Sequence, residues 1–250
     1  MDVNPIFVGM VFESFIIGIA VILTILVLIK YYQKRHKLTL YLFLIFLNYL
    51  IAIIFSWLSK VLVLYSGLDY LSYKTSAPDP GTYTSWILLR ISDFRISFIF
   101  LTIAIFLSYI LKVNVFEKGY NNIYKYIVSI YSIFTACFSL LAYQKGNTLL
   151  DALAFLFVFL LMSIIYIPFF IRSYQAYRVS SEKKFKFAFL SLALMSIFFI
   201  LIVFNFFIDR IMILLLGGLG FTPFYFMAWI FAILGIMGAY FGYIRPKAKL

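Results

Sequence analysis

The sequence predicts an all-α membrane protein, a bundle of seven transmembrane helices with its N-terminus outside and its C-terminus in the cytoplasm. Three observations lead to this prediction. Seven apolar stretches are each long enough to cross a bilayer, which takes about 20 helical residues. The 250 residues are 65% hydrophobic and only 12% charged, which is too little polar side chain to cover a soluble fold. The positive charges also lie mainly on one side of the predicted spans.

The predicted spans form a single domain over residues 1–250. Each is a continuous apolar run, and backbone groups in lipid must be bonded internally, so helices are expected instead of β-barrel strands. The first span follows Met-Asp-Val-Asn-Pro, which has no basic region or cleavage site, so we interpret it as a retained helix. The spans are Ile6–Ile29, Leu38–Leu64, Trp86–Leu111, Ile123–Tyr143, Leu149–Ile171, Phe187–Phe207 and Thr222–Ile244.

Short connections separate the spans in order. The basic segment 30–37 joins the first two, and the longest loop, 65–85, is rich in turn-forming Pro, Asp and Gly. Basic segments also follow the third and fifth spans, at 112–125 and 172–186. The segment 214–223, before the seventh span, is apolar and glycine-rich.

Lysine and arginine set the predicted orientation. The odd-numbered connections and the C-terminal segment carry 15 of the 21 Lys and Arg but only 2 of the 9 acids. By the positive-inside rule these segments are cytoplasmic, which indicates a multi-pass protein of the cell membrane. Positive charge spread over four membrane-flanking segments is not a nucleic-acid footprint, and the expected partner of this charge is anionic lipid of the bilayer.

The sequence offers little metal or redox chemistry. Its one cysteine, Cys137, lies in the fourth span, where we expect a buried small hydrophobe and no internal disulfide. Its one histidine, His36, lies among basic residues, whereas a zinc site needs three or four ligands. We therefore expect no metal, no cofactor and no enzymatic activity, which disfavours zinc-dependent seven-helix hydrolases of the ceramidase type.

Polar residues inside the apolar stretches are the strongest functional signal, because they are costly in lipid and usually face the bundle or a wet cavity. Counted at about 1.5 Å per residue from the inner end of each span, the charged ones all lie in the outer half. We therefore predict a polar ligand pocket that opens outward above an apolar floor. Its predicted residues are Glu13, Asn48, Arg90, Asp93, Arg95, Asn205, Tyr225 and Trp229.

The third span is the predicted centre of this pocket. Arg90, Asp93 and Ser97 have the spacing of one helix face, whereas Arg95 points elsewhere. Arg95 and Glu13 share a height of about 24 Å, so we expect them to pair. The alternative, that these ions only clasp helices together or reach the headgroups, stays open.

Aromatic residues of the seventh span are predicted to form a wall of the same pocket. Tyr225 and Trp229 are one helical turn apart, and either a pocket wall or packing accounts for them. Small residues that allow close helix packing follow at spacings of three and four: Gly235, Gly238 and Gly242. In the fifth span, Pro168 predicts a kink.

The closing segment 240–246, Tyr-Phe-Gly-Tyr-Ile-Arg-Pro, is similar to the end of some prokaryotic seven-helix sensor modules. The order of spans resembles seven-helix receptors as a whole, both rhodopsin-like proteins and those sensor regions. This resemblance is architectural and implies a receptor or sensor that signals through its basic cytoplasmic loops to a partner protein. The last span has no lysine for retinal, and Ser108–Lys112 stands where animal receptors carry Asp-Arg-Tyr.

Three functions remain open on these observations. The first is a receptor-like or sensor-like protein that binds a small molecule or lipid from the outer side. The second is a small-solute or proton-coupled transporter that uses Glu13 and Asp93 and needs a polar path through the inner half. The third is a structural or assembly role. Carriers of the three-plus-one-plus-three type are disfavoured, since no span contains a Pro-Gln pair and the halves show no convincing repeat.

Overall fold

The structure is a computed structural model that describes residues 4–71, 78–117, 119–217 and 220–243. Within these ranges the chain forms eight α-helices and one short 3-10 helix, Asp69–Leu71. The α-helices are α1 (Pro5–Lys34), α2 (Lys37–Tyr65), α3 (Tyr83–Ser92), α4 (Arg95–Phe116), α5 (Asn122–Leu141), α6 (Thr148–Val179), α7 (Lys183–Leu216) and α8 (Pro223–Tyr243). Ile244, the predicted last residue of the seventh span, and the C-terminal basic residues lie outside the described residues.

Every described helix except α3 is long and apolar enough to cross a membrane, which makes seven candidate spans. The all-helical, seven-span part of the prediction is therefore confirmed, and the chain is an integral, multi-pass membrane protein. We call the end of the bundle at which α1 begins the proximal end, and the opposite end the distal end.

The helices pack as a closed ring. Around it α1 contacts α2, α2 contacts α4, α4 contacts α6, α6 contacts α7, α7 contacts α8, and α8 returns to α1. The remaining span, α5, packs on α4 and α6 and is the least buried of the seven. The ring therefore encloses a common interior, and α5 lies on its outside.

The faces of α5 follow from its position. Its buried face carries the small hydroxyl residues Ser132, Thr135 and Ser139, each of which donates to the carbonyl four residues earlier. Such residues let helices approach closely in a membrane. The opposite face is apolar and exposed, and Cys137 lies on it. The expectation that Cys137 is buried is therefore wrong, because α5 turns it away from the ring.

Pro168 lies inside α6, which continues through it as one helix. Proline has no N–H, so the carbonyl of Ile164, four residues earlier, loses its helical donor. The hydroxyl of Tyr124 on α5 donates to that carbonyl. The side chain of Tyr124 thus supplies the hydrogen bond that Pro168 cannot make, and it attaches α5 to the ring.

The third span differs from the prediction of a single helix over 86–111. The backbone of Phe94 is left-handed, with φ of 62°, and it separates α3 from α4. A left-handed conformation is unfavourable for a bulky residue and ends a helix. Arg90 and Asp93 therefore precede the membrane-spanning helix α4, and the predicted shared face with Ser97 is not formed.

The α7–α8 contact confirms the small-residue strip. A methyl group at Gly235 would lie 2.6 Å from the ring of Phe199, and one at Gly242 would lie 2.3 Å from Leu192 Cδ2. Both distances are too short for a methyl carbon, so the two helices approach each other as closely as glycine allows. This contact holds α8 against α7 and positions the aromatic face of α8 toward the interior.

Candidate functional site

The proximal end holds a buried ion pair between α1 and α2. Nζ of Lys60 lies 3.0 Å from Oε1 of Glu13, and neither side chain is more than 2% exposed. The same carboxylate oxygen accepts the hydroxyls of Ser56 at 2.9 Å and Tyr225 at 2.5 Å. Since Tyr225 belongs to α8, this cluster connects the first, second and last helices of the ring.

Two phenylalanines whose backbone adopts the left-handed conformation flank this ion pair. The ring of Phe94 lies 4.5 Å from Nζ of Lys60, and the ring of Phe221 lies 5.8 Å from the same atom. Both backbones have positive φ, 62° and 61°. An aromatic face attracts a desolvated cation, and this attraction compensates part of the backbone strain. Strained residues that cluster at one place indicate a functional site, and here they surround Lys60.

A second charged cluster joins α4 to α6 and to the connection between α5 and α6. Arg95, which is fully buried, binds Asp151 at 2.5 Å. Asp93 accepts the hydroxyl of Tyr143 at 2.7 Å. The guanidinium of Arg95 also lies 5.6 Å from the Tyr143 ring. The predicted pairing of Arg95 with Glu13 is therefore wrong, because the rotation of α4 directs Arg95 toward α6 and leaves Glu13 to Lys60.

Arg90 has a structural position at the end of α5. Its Nε donates to the carbonyl of Leu140 at 2.7 Å, and the ring of Trp86 lies 3.8 Å from its guanidinium. The last carbonyls of a helix have no internal partner and attract cations. Arg90 thus caps α5 and does not line a cavity.

The bundle interior contains a cavity of about 90 Å³ next to these clusters. Five helices line it, mostly with aliphatic and aromatic side chains. Representative lining residues are Ile53 of α2, Phe98 of α4, Phe155 of α6, Phe206 of α7 and Trp229 of α8. The structure therefore shows an apolar cavity where the sequence predicted a polar pocket, because the charged side chains bind one another.

A few polar groups face this apolar space. The hydroxyl of Ser97 and Nε of Arg210 are buried and make no hydrogen bond within the described residues, whereas the indole N–H of Trp229 interacts with the hydroxyl of Tyr225. All three residues line the cavity. The guanidinium of Arg210 lies 5.2 Å from the Phe94 ring and 5.3 Å from the Phe155 ring. Two hydrogen-bond donors around one cavity thus lack acceptors among the described residues.

The predicted site residues separate into two groups. Tyr225 and Trp229 line the cavity, and Glu13 binds the hydroxyl of Tyr225. The remaining predicted residues do not line it. Arg90, Asp93 and Arg95 belong to the second cluster, while the side-chain amides of Asn48 and Asn205 donate to carbonyls of their own helices at 2.8 and 2.7 Å.

Arg210 is the cavity residue that the sequence analysis missed. The prediction ended the sixth span at Phe207, which left Asp209 and Arg210 beyond the span. In the structure α7 continues to Leu216, so both residues lie inside the helix. Asp209 is almost fully buried and accepts two hydrogen bonds from Thr222. The apolar run 211–216 after the charges was the signal for a longer helix.

A chain of hydroxyl groups begins at the distal side of the cavity. The hydroxyl of Tyr49, a lining residue, lies 3.0 Å from that of Tyr166, which donates to Ser108 at 2.8 Å. Ser108 in turn donates to the carbonyl of Ala104 on its own helix. The chain of hydrogen bonds therefore ends at the backbone of α4, in the middle of the bundle.

Comparison with known proteins finds no match for this chain. No family model, curated protein or solved structure matches this chain. Its membrane class therefore rests on its own seven apolar helices, and its site rests on the geometry of the cavity and the two charged clusters.

Proposed function

We propose that this protein is a receptor-like membrane protein that binds a small, largely apolar molecule in the cavity at the centre of its bundle. The observation that carries the proposal is a cavity lined by five helices, with two buried donors, on Ser97 and Arg210, that lack acceptors among the described residues. Ligand sites in helical bundles are typically apolar spaces with a few orienting polar groups. An apolar ligand with one hydrogen-bond acceptor group matches both the apolar lining and the buried donors.

The route of a signal follows from Phe94. This residue lines the cavity, contacts Lys60 and forms the left-handed break between α3 and α4. A ligand that displaces its ring changes the junction of two helices and the support of a buried ammonium at once. With the proximal end outside, as the lysine and arginine distribution favours, the helix movement reaches basic cytoplasmic loops and a partner protein.

Filling the cavity tests this proposal. Ala232 lines the cavity, whereas Ile230 on the same helix is half exposed at the outer surface of the bundle. We expect small molecules that co-purify with the native protein to be lost from Ala232→Phe and retained by Ile230→Phe, as measured by native mass spectrometry. Equal occupancy of both folded variants contradicts the proposal. Ala52→Leu provides a second, milder filling variant of the same cavity.

Proton-coupled transport is the second candidate, and one observation favours it. Oε2 of Glu13 is buried and makes no hydrogen bond within the described residues. A buried carboxylate oxygen of this kind is typical of proton carriers. However, the hydroxyl chain from Tyr49 stops at Ser108. Proton flux into liposomes that is abolished by Glu13→Gln would favour transport over the receptor proposal.

A further inference from the structure

Arg210, the cation that faces the cavity, differs in its partners from the other cations described at the proximal end. Lys60 binds Glu13, Arg95 binds Asp151, and Arg90 binds two carbonyl oxygens. Arg210 takes part in none of the ion pairs among the described residues, and its Nε is buried without a hydrogen bond. Its described contacts are the rings of Phe94 and Phe155.

This environment is incomplete for an arginine. A guanidinium N–H that is removed from water needs an acceptor in the protein or in a ligand. The aromatic rings attract the charge of Arg210, but they leave its buried Nε–H without an acceptor among the described residues. The group that satisfies these donors best is a carboxylate, which accepts two parallel hydrogen bonds.

We propose that the ligand of this cavity is a small apolar carboxylic acid whose carboxylate is bound by Arg210. This inference rests on the proposed ligand-binding function and names its ligand class. The apolar lining accommodates the hydrocarbon or aromatic body, and Arg210 neutralises the acid. The hydroxyl of Ser97 is a second buried donor in the lining of the same cavity.

The size and charge of the site narrow the class further. A cavity of about 90 Å³ is smaller than the 150 Å³ engineered cavity that holds benzene, so the body is a short chain or a small ring. The carboxylate of Asp209, next in sequence, and that of Asp93, which interacts electrostatically with Arg210, add negative charge to this end of the cavity. Repulsion from these acids disfavours a doubly charged phosphate and favours a single negative charge.

Quenching of Trp229 fluorescence tests the inference directly. The chain has three tryptophans, and Trp57→Phe with Trp86→Phe leaves the one that lines the cavity. The probes are 3-bromopropanoic acid and the neutral 3-bromopropanol, which are short enough for a cavity of about 90 Å³, added to the 250-residue protein in detergent. We expect both to quench Trp229, and the acid to bind more tightly than the alcohol.

Substitution of Arg210 then separates charge recognition from apolar binding. Arg210→Gln is expected to weaken acid binding by about tenfold or more and to weaken alcohol binding much less, because the alcohol carries no charge. Arg210→Lys is expected to retain part of the preference for the acid over the alcohol. The control is Arg172→Gln, an exposed arginine of α6 at the distal end, which is expected to change neither affinity.

The outcomes distinguish this inference from the proposed function. Equal binding of acid and alcohol, unchanged by Arg210→Gln but abolished by Ala232→Phe, overturns the acid preference and leaves the cavity as a ligand site. If neither probe quenches Trp229, the result contradicts both the acid preference and the proposed ligand-binding function. Acid quenching that Ala232→Phe does not reduce places the acid outside the cavity and also overturns the inference.

Discussion

Glu13 and Lys60, on neighbouring helices α1 and α2, form an ion pair with 3.0 Å between Oε1 and Nζ, and both side chains are almost completely buried. Tyr225 of α8 donates to the same carboxylate. The pair therefore lies where the last helix of the ring meets the first two. Loss of either charge leaves the other one buried without compensation.

The two partners are expected to depend on each other for stability. Glu13→Gln or Lys60→Met alone is expected to destabilise the protein by about 3–5 kcal/mol, whereas the double substitution is expected to cost much less than the sum. Thermal unfolding in detergent measures all three. Lys30→Ala, at an exposed hydrogen bond to Gln33, is the control and is expected to have little effect. Additive losses at Glu13 and Lys60 would contradict the coupling.

The hydroxyl of Tyr166 is expected to contribute more than that of another buried tyrosine. Tyr166 bonds both Tyr49 and Ser108, so Tyr166→Phe removes two buried hydrogen bonds and is expected to cost about 1–3 kcal/mol. Tyr109 is equally buried, but its hydroxyl has no hydrogen-bond partner among the described residues, so Tyr109→Phe is expected to be neutral or stabilising. The measurement is the difference between the two melting temperatures. Equal shifts would show that the hydroxyl chain does not stabilise the fold.

Gly235 is expected to be intolerant of even one methyl group. The new carbon in Gly235→Ala would lie 2.6 Å from the Phe199 ring, which is itself packed between Tyr49 and Tyr166. Overpacking of this kind costs about 1–3 kcal/mol. Gly18→Ala on α1 meets nothing within 4 Å and is expected to be neutral or stabilising by up to about 1 kcal/mol. Unfolding of the two variants side by side checks the difference.

The loop before α3 is expected to be sensitive to acid. Hydrogen bonds from the Ser85 hydroxyl and the Gly81 N–H lower the pKa of Asp79 below its ordinary value of 3.8. Because the folded pKa is the lower one, this contribution to stability is complete above the unfolded pKa of about 3.9 and is lost as the pH falls through the folded pKa. A carboxyl-carbon NMR titration measures the pKa. Ser85→Ala is expected to return it toward 3.8, and no change would refute the assigned cause.

The long apolar helices, and the position toward one end of most charges inside them, were predictable from the sequence. Span length and composition are local properties, and each charged residue has a depth along its helix that counting reveals. The aromatic wall of α8 was predictable for the same reason, since Tyr225 and Trp229 are one turn apart. The glycine strip that places α8 against α7 was also visible in its spacing.

The break at Phe94 was not predictable from composition. The residues around it are as apolar as a continuous helix requires, so hydropathy does not distinguish one helix from two. At Phe94 the left-handed backbone is stabilised by contacts with Lys60 and Arg210, which come from α2 and α7. Such support is non-local and has no pattern along the chain.

The sequence by itself determined that this chain spans a membrane seven times and that most of the charges inside its predicted spans lie toward one end of the bundle. Only the tertiary structure decided that Glu13 binds Lys60, that Arg95 binds Asp151, and that Arg210 remains beside an apolar cavity. The physical reason is rotation. Depth follows from counting residues, but the partner of each charge depends on how every helix is turned about its own axis. That rotation is set by the packing of all seven helices together.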